Sequence, residues 1–317
     1  MKKNTLILAG ALLALVAAYF IFVHQWNGPD NVFQIEDSSE VGRIELERFD
    51  LGKSKAKIDL KKGIEGEWTV NEVYTANQPK VQDFLLTLTQ IRVLKPIEQK
   101  AQASSLSILK RNHTRVKIYD RDGSEMRDYL IGGTNSQQTA NIFKMDFSDR
   151  TYLVSKPALD GYVSIFYTTA LNIWRENLIF NIEGKDLTSI SMAYADSVHS
   201  FDLRHSPQGW LVGEGMQADQ NRVDSYLELF KGKVFAESFA GKANPGMLDS
   251  LKRRVPSVEM RLQTEKEKLA LLLFSRPENA NNFFGYIEGT DELLTVQQFV
   301  IGQFLKTRDF FVQNPLP

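Results

Sequence analysis

The chain has 317 residues, enough for about two folded units of ordinary size. Its formal net charge is −1 with both signs interspersed, so nothing marks nucleic acid as a partner. It has no cysteine, which excludes disulfides, thiolate metal sites, a cysteine nucleophile and a lipid-modified cysteine. Residues 1–30 read as a transmembrane signal anchor with a short linker. Thr5 to Val23 is an uncharged run of 19 residues, about 28 Å as a helix and close to a bilayer's hydrocarbon thickness. Lys2 and Lys3 precede it and no further Lys or Arg occurs before Arg43, so the N-terminus is expected in the cytoplasm and the remainder outside. The competing reading is a cleaved leader ending at Val16-Ala17-Ala18. Cleavage there would leave the apolar Tyr19–Val23 exposed, and the length of the run favours the anchor. Asn27-Gly28-Pro29-Asp30 then reads as the linker.

Downstream, Val41–Arg48, Lys55–Leu60 and Glu67–Val73 read as strands, with a turn at Gly63–Gly66. Asn77 is placed to cap a helix whose buried face is Val81, Phe84, Leu85, Leu88 and Ile91, and Pro79 suits its first turn. Thr114–Tyr119 and Met126–Ile131 flank Asp120-Arg-Asp-Gly123, a hairpin signal. Strands near Asn141–Met145 and Arg150–Val154 follow, then a helix expected around Leu159–Trp174.

Much of this pattern occurs twice. "EWTVNEVYTANQPKVQDFL" from Glu67 and "GWLVGEGMQADQNRVDSYL" from Gly209 align without a gap. Trp68 meets Trp210, Val70 meets Val212, Ala76 meets Ala218, Gln78 meets Gln220 and Val81 meets Val223. The same offset puts Leu109-Lys110-Arg111 on Leu251-Lys252-Arg253, Val116 on Val258, Ile118 on Met260 and Val154 on Val296. A shared offset held over that distance marks an internal duplication. The expected organisation is therefore two tandem homologous repeats, residues 31–178 and 179–317. Each is an α+β unit, a mostly antiparallel sheet with helices packed on one face. Asp219 caps the second copy's helix, with Val223, Tyr226, Leu227 and Phe230 buried and Gly232 as its stop. A shorter helix around Gln297–Leu305 closes that copy.

Few residues invite a chemical reading. Ser107-x-x-Lys110 matches an acyl-transfer pattern but lacks its companion motifs, and the second copy has Asp249 beside a retained Lys252; the lysine reads as part of a repeated structural turn. Asp120-x-Asp122-Gly123 lacks the remaining ligands of a calcium loop. His199 and His205, read as one face of one strand, stand about 20 Å apart and cannot share a metal. His24 and His113 are isolated. Gly132-Gly133-Thr134-Asn135 follows a strand but lacks the lysine and the helix of a phosphate loop. No catalytic, cofactor-binding or metal residue is assigned, and no cofactor is expected.

The N-terminal anchor, the "EWTVNEVYTANQPKVQDFL" corner, the "LKR" turn and the closing "WRENLIF" resemble the domain-of-unknown-function family 4340 from about Phe33 to Phe311. In the second copy "WRENLIF" is reduced to "TRDFF". The resemblance implies a single-pass protein of a bacterial inner membrane with its N-terminus cytoplasmic and its bulk periplasmic or otherwise extracytoplasmic. It also implies an association with ABC-type export components of gliding-motility type. The expectation is a non-enzymatic interaction or scaffold protein with a protein partner in the cell envelope. The alternative is a cell-envelope hydrolase or carbohydrate-binding enzyme with a carboxylate pair in a groove between repeats.

Overall fold

The computed structural model describes residues 32–157, 159, 161–241, 245–275 and 281–312. The expected anchor at Thr5–Val23 lies outside them; among the described residues no helix is long and apolar enough to cross a membrane. The chain divides into two compact units, Met1–Glu176 and Asn177–Pro317.

The first unit runs β1 (Val41–Asp50), β2 (Lys53–Lys62), β3 (Trp68–Val70), β4 (Tyr74–Thr75), α1 (Gln78–Gln90), β5 (Arg92–Pro96) and α2 (Gln99–Arg111). It continues with β6 (Asn112–Asp120), β7 (Glu125–Thr134), β8 (Asn141–Met145), β9 (Thr151–Ser155) and the single turn α3 (Leu171–Trp174). Its strands form one nine-stranded sheet in the order β4-β3-β2-β1-β6-β7-β8-β9-β5, antiparallel throughout.

Local chemistry accounts for the elements. Within β1 the buried set is Val41, Ile44 and Leu46, out of simple alternation because the register against β6 shifts between Val41 and Arg43. Gly42 sits at this bulge, where a Cβ would lie 2.6 Å from the Asp120 carbonyl oxygen, so only glycine permits the approach. Asn77 accepts a hydrogen bond from the Lys80 amide at 3.1 Å and caps α1. Behind it Val81, Phe84, Leu85 and Leu88 are buried against the sheet. The Asp120–Gly123 hairpin closes through Asp120 Oδ1, which accepts from the Asp122 and Ser124 amides, with Gly123 at φ +86°.

The second unit opens with β10 (Leu178–Phe180), β11 (Leu187–Tyr194), β12 (Phe201–Ser206), β13 (Gly209–Val212), β14 (Met216–Gln217), α4 (Gln220–Leu227) and β15 (Val234–Phe235). It continues with β16 (Ser238–Gly241), α5 (Pro245–Lys252), β17 (Val258–Thr264), β18 (Lys268–Ser275), β19 (Asn282–Ile287), β20 (Leu293–Gln297) and α6 (Gln298–Ile301). Its large sheet runs β14-β13-β12-β11-β17-β18-β19-β20-β16, position for position the order of the first, while β10 and β15 pair separately.

The corner repeats bond for bond. The Ala76 amide donates to the Trp68 carbonyl at 2.9 Å and Ala218 to Trp210 at 3.0 Å. The cap residues Asn77 and Asp219 donate their amides to the carbonyls of Trp174 and Phe311. Those two aromatics also pack on equivalent helix residues, Trp174 on Phe84 and Phe311 on Tyr226. Phe311 of "TRDFF" thus does the work of Trp174 in "WRENLIF".

Three expectations need correction. Helices occupy both faces of each sheet, not one. In β9, Tyr152 and Val154 join the α1 core, while Thr151 between strands bonds Ser105 of α2 at 2.7 Å on the opposite face. In β18, Leu271 and Leu273 join the main core, whereas Ala270, Leu272 and Phe274 form a separate cluster with Leu248 and Leu251 of α5. The period of two in the strands makes this two-sidedness possible. Accordingly the "LKR" motif is the last turn of α2, not a turn by itself. Second, Leu159–Trp174 is not a continuous helix: it holds a 3₁₀ turn at Val163–Phe166 and α3. Third, the ungapped register fails in β17. Ile44 pairs with Leu60 and Ile118, and Ile190 pairs with Leu203 and Leu262. Ile118 therefore corresponds to Leu262, not Met260. Strand β6 follows α2 directly, but residues 253–257 separate α5 from β17, and Pro256 lies in that added length.

Candidate functional site

The motif residues divide when placed in the fold: Ser107, His113, Gly132 and Gly133 line one concavity of the first unit, and the others do not. Ser107 and Lys110 stand on exposed positions of α2, and among the described residues neither side chain has a hydrogen-bond or ion-pair partner. An activated serine is hydrogen-bonded to its base, and Ser107 makes no such bond among the described residues. His199 ends a 3₁₀ turn and faces Asp196 at 3.3 Å, while His205 lies on β12 against the Trp210 ring. The expectation of one shared strand face is corrected, because the strand begins only at Phe201. His24 lies outside the described residues. Among those described, no group of three or more His, Asp or Glu side chains could hold a metal. Gly132 and Gly133 end β7 next to α2. A Cβ on Gly132 would stand 2.5 Å from the Asn112 carbonyl oxygen, and one on Gly133 2.7 Å from Ile108 Cγ2. These glycines let a helix lie close on the sheet, a packing role.

What the fold does gather is a groove of about 1230 Å³ at one end of the first sheet. The ends of β1 and α2, the start of β6, the glycines of β7 and the Tyr162–Ala170 segment enclose it. A bulge and a tight turn shape it. The register of β1 against β2 passes from Arg48–Ala56 to Phe49–Ser54, which leaves Lys55 as the extra residue and turns it into the groove. At the tip, Leu51 (φ +50°) and Gly52 (φ +75°) close the hairpin, and the Leu51 amide donates to the Arg111 carbonyl at 2.7 Å, tying the hairpin to the end of α2. His113 forms part of the wall. Its ring stacks on Phe49 at 4.9 Å and its Nδ1 bonds the Leu109 carbonyl at 2.6 Å. Burial lowers its pKa despite that bond.

The charges of the groove differ from those on the rest of the sheet. On the open sheet face Arg43 clasps Asp59 through two bonds of 2.8 and 2.7 Å, and Arg115 clasps Asp128 through bonds of 3.0 and 2.6 Å. Hydrogen bonding to these carboxylates raises the pKa of each guanidinium further above its usual value. By contrast Arg48, Lys55 and Arg111 line the groove with Asp50, and none of them has an ion-pair partner among the described residues. Ile108 and Ile165, 40% and 54% exposed, add apolar tips to the lining. The arrangement can attract and hold an anionic group beside apolar surface. Sequence reasoning missed it because its cations are far apart in the chain and α2 was not read as a helix. The one available signal was the Lys-rich "KSKAK" at the start of β2.

Two antiparallel nine-stranded sheets of one strand order, each flanked by helices, define a tandem α+β protein. Residues 68–247 match the family described as domain of unknown function (DUF4340), and the chain belongs to that family. No curated protein and no solved structure matches the chain.

Proposed function

We propose that this protein is a non-enzymatic interaction or scaffold protein, held in a bacterial inner membrane by Thr5–Val23 with its folded bulk outside the cytoplasm. On this reading it serves as an accessory component of an export or gliding-type membrane complex, and its two units descend from a duplication. The observation that carries the reading is the groove of the first unit, a large open concavity edged by Arg48, Lys55 and Arg111, which have no ion-pair partner among the described residues. Its hydroxyl-bearing and apolar lining offers contact area, while Ser107 and Lys110 make no pair within it. The repeated corner supplies a rigid frame on which such a surface can be presented.

The test is recovery of partners from native membranes through a tag after Pro317, with reporter fusions beyond Asp30 to read topology. The expected result is a stoichiometric envelope protein in the eluate and reporter activity outside the cytoplasm. A chain that elutes alone, or a cytoplasmic reporter signal, overturns the reading. The same strain carrying Asp50→Asn separates binding from chemistry, since Asp50 is the carboxylate of the groove. If that amide abolished function while fold and partner recovery survived, the protein would be an enzyme.

A further inference from the structure

We propose that the groove at the tip of the β1–β2 hairpin receives an extended acidic peptide segment of a partner protein, seated against Arg48, Lys55 and Arg111. The inference rests on the interaction reading above and names the chemistry of the partner.

Charge comes first. The paired arginines of the open sheet face show that this chain supplies carboxylates where it needs them. At the groove it supplies only Asp50, and the surplus is positive. The bulge commits Lys55 to that surplus by turning it out of strand alternation. Backbone chemistry comes second. Strand β2 pairs with β3 only through Leu60–Lys62, so among the described residues no strand lies beside Lys53–Ile58 on that edge. Unpaired strand amides and carbonyls accept an added strand, and Lys55 and Ala56 belong to both this edge and the groove. Lysines on an edge strand also deter like chains, which makes an acidic strand the one that fits. Ile108 and Ile165 offer apolar contact to the part of the segment that crosses the groove beyond this edge.

The backbone argues against a lipid headgroup as the occupant. A headgroup would engage the cations alone, whereas the open Lys53–Ile58 edge offers strand amides and carbonyls that a peptide can pair.

The test uses the full chain in detergent and a fluorescein-labelled peptide of alternating Glu and Val, read by anisotropy. Saturable binding that weakens with added salt is expected. Lys55→Glu with Arg111→Glu should weaken it by about tenfold or more, because both rim charges then repel the peptide. Lys110→Glu, on α2 but outside the groove, should leave it unchanged. Lys55→Gln with Arg111→Gln, read alongside unfolding curves, separates loss of charge from loss of fold. Equal binding by the double reversal overturns the proposal. So does residue-dependent binding of phosphatidylglycerol vesicles or heparin in place of the peptide. Native partner recovery separates the two readings. A partner that still elutes with the double reversal removes the groove but leaves the interaction reading. Peptide binding by a chain that elutes alone does the opposite.

Discussion

The two units share one strand order and one corner, yet they secure the helix on their second face by different means. In the first unit α2 has 13 residues and is held by polar contacts. The Ser105 and Thr151 hydroxyls meet at 2.7 Å, and Gln102 Oε1 accepts from both the amide and the hydroxyl of Thr151. In the second unit α5 has 8 residues, and Leu248 and Leu251 pack into an apolar cluster with Leu272, Phe274 and Tyr286. The hairpins differ too: β1 and β2 have 10 residues each, β11 and β12 only 8 and 6. The longer hairpin and longer helix create the groove, and the second unit has neither. The common corner fixes the fold, while the far face and the hairpin were free to change.

Breaking the corner should have the largest effect. Trp68 is fully buried and Trp210 is 5% exposed. Truncating either to Ala is expected to cost about 3–5 kcal/mol as a large-to-small core change. Among the described residues the Trp68 indole N–H has no hydrogen-bond partner, so its loss is one of packing. Because the units are separately compact, denaturant unfolding of the full chain should show each variant lowering the transition of its own unit. A Trp68→Ala chain that unfolds like the parent would show that the corner is not what holds the sheet to α1.

The difference between the second faces predicts unequal costs. Leu251→Ala should destabilise the second unit by about 2–4 kcal/mol, since it empties an apolar cluster. Ser105→Ala should cost the first unit about 1 kcal/mol, because Thr151 keeps its bond to Gln102. Equal costs in the same unfolding experiment would mean that the two helices are held alike.

The corner was legible in the sequence because its signals are local: a capping Asn77 or Asp219, a periodic apolar face and a retained tryptophan. The Asp-Gly hairpin was legible for the same reason. The second faces were not. Helix α2 reads "QKAQASSLSILKR", and it buries only Ser105 and Leu109, so its apolar periodicity is weak. Its place is set by Gly132 and by hydroxyl pairing with Thr151, a residue of β9 remote from it in the chain. The register slip in β17 was hidden because the added length lies between α5 and the strand, and the frame returns by Val154 and Val296. The groove needed all these distant pieces at once.

The smallest effect concerns the second unit's tyrosines, and pH resolves it. Tyr194 donates its hydroxyl to the Lys306 carbonyl at 2.6 Å, and burial raises its pKa from 10.0 to about 12. A phenol kept neutral in the fold binds its proton more tightly there than in the unfolded chain. Its stabilising effect is therefore complete below about pH 10 and fades as pH rises toward 12. Tyr194→Phe loses the hydrogen bond and should cost about 1 kcal/mol at neutral pH. The variant has no phenol at this position to ionise on unfolding, so from about pH 10 upward the gap between parent and variant should narrow. Tyr226 is raised by burial and further by the charge of Tyr194, and its hydroxyl bonds Phe304; the variant loses that second contribution, which narrows the gap in the same direction. Unfolding midpoints for the two chains measured between pH 8 and 12 check this, with 10.0 and about 12 as the flanking pKa values. A gap that stays constant across that window would mean that Tyr194 titrates alike in the folded and unfolded chain, and that its bond to Lys306 does not hold the phenol neutral.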